Sequence, residues 1–315
     1  MKPAERAIAL LDERLGLLPE LLNEQLVKRA LDSIFGKREQ SVGTLDADSA
    51  EWQRLVDEVT VQETWFFRDV EPFRLLAAHV TGKWLPANPA GPFRVLSVAC
   101  ATGEEPFSVA ITLLEAALPA DRIRIDALDV SGAALEQARQ GLYRKTSFRN
   151  RLDETASLRY FEPCKDGLRI RPEVSGLVRF EQANLLDLSA YRSRGPYDAV
   201  FCRNALIYLT TVARRHAIAE LRDLVSDDGL LFVGHSELML FLEAGWFRVE
   251  HERGFACMKG AASSEAVHPE VHGHAQRKVR RAHLHAHATV QRMEPTEELV
   301  RAKELADRGD LAAAA

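Results

Sequence analysis

Phe93-Arg-Val-Leu-Ser-Val-Ala-Cys100-Ala-Thr-Gly-Glu-Glu-Pro106 is the stretch that decides the fold. Its first eight residues are a mostly apolar run, opened by Pro89-Ala-Gly-Pro92 and closed by a turn holding one glycine, the pattern of a buried strand. A helix follows from Pro106 to Ala117, with proline in its first turn. Downstream, Ile123–Val130 reads as a second strand and Gly132–Gln140 as a second helix stopped by Gly141. Val178–Ala183, Tyr197–Cys202 and Leu230–Gly234 read as further strands, with a helix at Thr211–Val225. Strand and helix alternating at this spacing predict an α/β fold: a Rossmann-like, mostly parallel sheet covered by helices on both faces. Leu168-Arg-Ile-Arg171 alternates and predicts part of a small inserted sheet.

Upstream, Ile8, Leu10, Leu11, Leu15, Leu18, Leu21, Leu22 and Leu26 recur at helical spacing, interrupted by Pro19. Asp48-Ser49 offers an N-cap to a third helix carrying Trp52, Leu55, Val56 and Val59. Residues 1–75 therefore read as a small all-α domain and 76–260 as the α/β domain, with the insert at about 158–178. From Ala261 the composition changes. Residues 261–293 hold six of the ten histidines among Ala, Ser, Arg and Val, a solvated linker or a set of closely spaced metal ligands. Residues 294–315 are helical in pattern and resemble the first helix and turn of a tetratricopeptide repeat, stopping in an alanine run before a second helix.

The 315 residues are 46% hydrophobic and 28% charged, which excludes collagen-like and wholly disordered chains. No apolar run approaches the ~20 residues of a membrane helix, and Met1–Arg14 lacks the pattern of a secretory signal. A net charge of −5 gives no reason to expect a nucleic-acid partner. The four cysteines lack the spacing of metal ligands or a disulfide framework, which points to a reducing compartment, the cytoplasm.

Ligands of doubly wound sheets sit at the carboxyl ends of the strands. There the first strand meets Gly103 alone, short of the glycine-rich pyrophosphate fingerprint, and Glu104 and Glu105 would repel phosphate. Two carboxylates suit a cation. Asp129, closing the second strand, is placed either to accept hydrogen bonds from a ribose or to sit as a charge at a helix N-terminus. A ribose and a cation together point to S-adenosylmethionine.

Thr64-Trp-Phe-Phe-Arg-Asp69, Thr102-Gly-Glu-Glu-Pro-Phe-Ser108, Phe201-Cys-Arg-Asn-Ala-Leu-Ile-Tyr208 and Gly229-Leu-Leu-Phe-Val-Gly-His-Ser-Glu237 occur in this order. Together they resemble the chemotaxis-receptor glutamate methyltransferases, the CheR family, over about Leu10 to Met258. The resemblance implies a helical N-terminal domain, a class I S-adenosylmethionine domain with an inserted β-subdomain, and methylation of glutamate γ-carboxylates on the cytoplasmic helices of a chemoreceptor, without a metal. It implies Thr64 and Arg68 touching the cofactor from the helical side, Glu105 at its methionine end, Asp129 at its ribose and Asn184-Leu185 beside its adenine. Arg203, Asn204 and Tyr208 would line the reaction site. Gln62 stands where the family often has Asn, with an amide available for the same contact. Family members with appended repeats serve non-motility arrays, including the Wsp surface-sensing system of biofilm regulation; such a repeat would recruit a protein partner.

Arg68 and Tyr208 are the expected catalytic pair, a guanidinium to grip a carboxylate and a phenol to donate to it or to bound the methyl pocket. Each has a plainer use: Arg68 as a partner of Asp69 or a helix cap, Tyr208 as a core residue. Trp65, Phe66 and Phe67 read as packing. His235-Ser-Glu237 imitates a triad without a nucleophile elbow. The short Tyr160–Leu168 connection, with Gly167 alone, predicts independence from a receptor tether peptide. Lys28, Arg29, Lys37 and Arg38 would face an acidic receptor or simply water. The rivals to this function are a methyltransferase for a small carboxylic acid and a non-catalytic, cofactor-binding scaffold.

Overall fold

In the computed structural model, residues 2–36, 46, 49–88, 90–149 and 159–260 are described. The histidine-rich segment, the repeat-like terminus, Lys37 and Arg38 lie outside them. Every described residue belongs to one compact unit.

Helices α1 (Pro3–Leu15), α2 (Glu24–Phe35) and α3 (Ala50–Val59) start the chain, α2 capped by Asn23 and α3 by Ser49. They bury Leu11, Val27, Leu31, Trp52, Leu55 and Val56 against one another as a core of their own. Helix α4 (Val70–His79) packs elsewhere. Its Phe73 and Leu76 join the core beneath the sheet, and it runs through a π turn into the short α5 (Leu85–Ala87).

The main sheet contains β1 (Phe93–Val98), β2 (Ile123–Asp129), β6 (Val178–Gln182), β7 (Tyr197–Cys202), β8 (Val225–Val233), β9 (Trp246–Arg248) and β10 (Ala256–Lys259). Their order is β6-β2-β1-β7-β8-β10-β9, parallel from β6 to β8, with β10 antiparallel to both its neighbours. The order reverses between β1 and β7, the place where doubly wound sheets open a crevice. Helix α6 (Glu104–Glu115) buries nearly every residue from Glu104 to Leu113, and α7 (Gly132–Gln140) ends at Gly141 as its sequence predicts. The predicted strand at Leu230 begins earlier, at Val225. The inserted sheet is β3 (Leu142–Tyr143), β5 (Gly167–Ile170) and β4 (Phe161–Cys164), in that order and antiparallel. The chain returns through α8 (Pro172–Ser175), α9 (Thr211–Leu224) and α10 (Leu238–Glu243). No described helix is long and apolar enough to cross a membrane.

The helical region is tied to the loop after β7 by main-chain pairing. Leu17 bridges Leu209, Leu18 N–H donates to the Tyr208 carbonyl at 2.8 Å, and Thr210 N–H donates to the Gly16 carbonyl at 2.7 Å. Gly16 caps α1 at φ +66°, and a Cβ there would lie 2.2 Å from the Ala213 Cβ. Gly16→Ala should therefore cost about 2–4 kcal/mol, the sum of left-handed strain and overpacking, read as a lowered denaturant midpoint. An unchanged midpoint would show that this docking is loose.

Candidate active site

All ten residues singled out above, Gln62, Thr64, Arg68, Glu105, Asp129, Asn184, Leu185, Arg203, Asn204 and Tyr208, line one open cavity of about 1410 Å³ at the carboxyl ends of β1, β2 and β7. Leu18, Leu21 and Leu22, from the segment between α1 and α2, line it too, as do Trp65 and Phe73.

The floor is the loop after β1. Ala99, Ala101 and Gly103 all take positive φ, so the chain turns sharply three times in five residues. A Cβ on Gly103 would lie 2.9 Å from the Ala138 Cβ and 3.1 Å from the Tyr143 hydroxyl. The single glycine therefore serves close packing against α7 and β3. The Asp129 carboxylate fastens this loop: one oxygen accepts from Ala101 N–H and the other from Ser131 N–H, both at 2.8 Å. Asp129 thus sits at the start of α7, the helix-terminus reading, while also lining the cavity.

Of the two adjacent glutamates, one faces the ligand space. Glu105 lines the cavity, while Glu104 is buried and accepts from the Thr102 hydroxyl at 2.6 Å. The expectation of a pair of carboxylates facing a cation is corrected to one, because successive helix residues point about 100° apart. Glu105 accepts from the Ser97 hydroxyl at 2.8 Å and from Arg203 Nη1 at 3.3 Å. Burial pushes its carboxyl above the ordinary range, and Arg203, Ser97 and Arg68 pull it part of the way back. Burial also raises Asp129, against the amides of Ser131 and Ala101.

The side chain of Arg203 is 1% exposed, and its Nη2 donates to Asp69 at 2.8 Å. Asp69 is therefore not the partner of Arg68. Arg68 instead donates from Nη1 to the Glu63 carbonyl at 3.0 Å, and its guanidinium carbon lies 4.4 Å from the Trp65 ring centre. Phe66 is core, packed on Tyr143, Phe148 and Phe161. Trp65 is not: it lines the cavity under Arg68 and also meets Arg149, at 3.5 Å. Asn184 donates to the Arg14 carbonyl at 2.8 Å and accepts from Leu186 N–H, so its side chain joins β6's exit loop to α1.

The last motif works through its glutamate. Glu237 is fully buried and accepts from the main-chain N–H groups of Gly234, Asn204 and Leu206, each at 2.8 Å. It holds the Arg203–Tyr208 loop in shape, whereas His235 is exposed and packs edge-on against Phe255. No triad exists here. The sequence signal for Glu237 was present in the motif, but three amide acceptances reach across a loop that spacing alone does not reveal.

Residues 62–255 match the family described as CheR methyltransferase, SAM binding domain. The chain belongs to that family. It is 35% identical to the probable biofilm formation methyltransferase WspC of Pseudomonas aeruginosa, over 248 residues that make up 76% of this chain and 58% of that protein. It is 32% identical to WspC of Pseudomonas putida over 82% of this chain and 62% of that protein. The chain thus spans about three-fifths of these relatives. Identity to the chemotaxis protein methyltransferase of Salmonella typhimurium is 36%, over 73% of this chain and 78% of that protein.

The CheR cavity suits S-adenosylmethionine by its own unpaired atoms. Gln62 Oε1, Asn204 Oδ1 and Arg203 Nε are buried without a hydrogen-bond partner, and all three residues line it. Two acceptors and a donor left so cost about 1–3 kcal/mol each, a cost that ammonium or hydroxyl donors and a carboxylate acceptor on the ligand would remove. Among the described residues, no group of three or more His, Cys, Asp or Glu is arranged to hold a metal ion.

A cation beside Glu105 favours its ionised form, so its binding expels a proton wherever the carboxyl is protonated. In the unliganded fold the raised pKa gives stability below the ordinary carboxyl range that is lost as pH rises through the raised value. Cofactor affinity should run the other way, weakening as pH falls through that value. Calorimetric titration with S-adenosylmethionine across the acid range should show this slope with proton release, and Glu105→Gln should flatten it; an equal slope in the variant would assign the effect elsewhere.

Proposed function

We propose that this chain is a protein-glutamate O-methyltransferase acting in the cytoplasm, which esterifies glutamate side chains on the helical bundle of a methyl-accepting chemoreceptor. One observation carries the reading: a single cavity holds a buried carboxylate suited to a cationic cofactor, Glu105, within electrostatic reach of a guanidinium suited to an anionic acceptor, Arg68. The names of its CheR relatives, in chemotaxis and in biofilm formation, support a chemoreceptor as the partner.

When bound, S-adenosylmethionine supplies an electrophilic methyl on a sulfonium, whose C–S electron pair stays on sulfur as a carboxylate oxygen forms the new C–O bond. A glutamate near its ordinary pKa of about 4.3 is already ionised at neutral pH, so the protein supplies no general base. Its work is desolvation and alignment, for which positioning can supply about 7–11 kcal/mol of the barrier. Arg68 grips the acceptor carboxylate in a planar, two-pronged way. Its bond to the Glu63 carbonyl and its stacking on Trp65 fix the guanidinium beforehand. Tyr208 donates to the acceptor or bounds the methyl, while Leu18, Leu21 and Leu22 exclude water. Thr64 and Gln62 would hold the cofactor from the helical side, Asp129 would serve its ribose, and Asn184 and Leu185 would flank its adenine. Arg203 and Asn204 border the reacting atoms.

The chain should act without a receptor tether peptide. In support, β4 and β5 are joined by Lys165-Asp166 alone, too short a turn to offer a separate peptide-binding loop. A fluorescent peptide with the receptor's C-terminal tail should show no saturable binding, and strong specific capture would overturn this part.

The deciding experiment incubates the chain with methyl-labelled S-adenosylmethionine and a chemoreceptor cytoplasmic fragment. Base-labile label should appear on receptor glutamates, and Arg68→Ala should lower kcat about 100-fold or more, the scale of losing a charge-positioning group. Label on a small carboxylic acid alone would assign a small-molecule methyltransferase. Cofactor binding without transfer would assign a scaffold.

A further inference from the structure

The residues on either side of Arg68 are both in the left-handed half of backbone space, Phe67 at φ +54° and Asp69 at φ +56°, ψ +97°. Neither is glycine. Such conformations are costly and persist only where the surroundings over-determine them. The anchors are visible on both sides. Phe66 N–H donates to the Ser147 carbonyl at 2.8 Å and Phe67 N–H to the Ser108 hydroxyl at 2.9 Å. After Arg68, the next anchor is the Asp69 carboxylate. An aspartate one residue before a helix ordinarily caps it, yet Asp69 makes no cap bond to α4. It is spent instead on Arg203, which Glu105 already neutralises from the other side.

We propose that Asp69 is a positioning residue for the acceptor-side arginine. Its pair with buried Arg203 fixes the arch of residues 67–69, and the arch delivers the Arg68 guanidinium onto Trp65 and into the cavity. The same pair connects Arg68, through Arg203, to the carboxylate that faces the cofactor. Charge agrees with this: Asp69 and Glu105 against Arg68 and Arg203 sum to zero, and loss of Asp69 leaves one positive charge uncompensated. The inference deepens the proposed function, because it rests on Arg68 holding the acceptor.

Three variants of the whole chain test it. Asp69→Gly accepts φ +56° without a Cβ, so it removes the carboxylate without adding strain; Asp69→Ala removes it and keeps the strain. Asp69→Asn keeps an oxygen for Arg203 and tolerates positive φ. With a chemoreceptor fragment as acceptor, the Gly and Ala variants should lose about 10–100-fold in kcat, the cost of a misplaced positioning group, with S-adenosylhomocysteine affinity within about 3-fold of the parent. Asn should recover activity to within about 5-fold of the parent, on the strength of the retained hydrogen bond. A second readout needs no turnover: phenylglyoxal labelling of Arg68, mapped by mass spectrometry, should be several-fold faster in Asp69→Gly as the guanidinium leaves Trp65. A stable Gly variant with parental kcat and parental labelling overturns the inference, as does an equal loss of cofactor affinity and kcat in all three. If the parent chain transfers no methyl to the receptor, the proposed function fails, and the labelling rate alone then decides whether Asp69 positions Arg68.

Discussion

A guanidinium that is 1% exposed, placed between two carboxylates, organises this molecule. Burying a charge costs several kcal/mol unless partners compensate it, and removing one partner of such a group is far costlier than never having it. Arg203 comes from the end of β7, Glu105 from the first turn of α6, and Asp69 from the residue before α4. Three elements from three parts of the chain are thus held to one point. That point is the crevice where the strand order reverses. The ion cluster lies within the candidate site, where Glu105 is also held by the Ser97 hydroxyl.

The remaining loops are held by carboxylates that accept main-chain amides. Asp129 fixes the turn after β1 through Ala101 and the start of α7 through Ser131. Glu237 fixes the turn after β7 through Asn204 and Leu206. In a phosphate-binding loop those amides would point at the ligand. Here they are occupied by the protein's own anions, which leaves the crevice with carboxylates, unpaired amide oxygens and two arginines, of which Arg203 is already paired with Asp69 and Glu105. Such a lining rejects a pyrophosphate and accepts a ligand with positive charge. The absence of a glycine-rich fingerprint and the nature of the ligand are two results of one arrangement.

Much of the fold was legible because its signals are local. Tyr197–Cys202 and Gly132–Gln140 fall where their apolar runs and stop signals put them. The candidate site was legible for a different reason: four motifs in order resembled a known family, and residues of the first three line one cavity, while the fourth braces its wall through Glu237. What spacing could not reveal are contacts set by three-dimensional closure. Glu104 and Glu105 are neighbours in sequence, yet one meets the cavity and the other Thr102, which depends on how α6 is rotated against β1 and the loop after it. Asp69 is next to Arg68 and pairs with Arg203, 134 residues away. Trp65 looked like packing because Phe66 and Phe67 beside it are packing. β8 starts at Val225 rather than Leu230 because Val225 pairs with Tyr197 across a break in register, while Ser226-Asp-Asp-Gly229, turn-like in sequence, has no register partner on β7.

The N-terminal helices have a core of their own, and it would be natural to treat them as an appendage to the catalytic sheet. Their contacts say otherwise. Residues 16–18 pair through the main chain with 208–210, so the backbone that carries Tyr208 is partly shaped by the end of α1. Asp57 of α3 accepts from the Ser131 hydroxyl at 2.8 Å and from Ala133 N–H, and so braces the same turn that Asp129 holds from the other side. The Leu17–Leu22 segment supplies the apolar wall of the cavity. Moving the helices away would open the reaction site to water, release the Tyr208 loop and loosen the Asp129 turn together. Under the proposed function, which requires stripping water from an already charged carboxylate, such a wall matters more than a base. Here the helical region provides it.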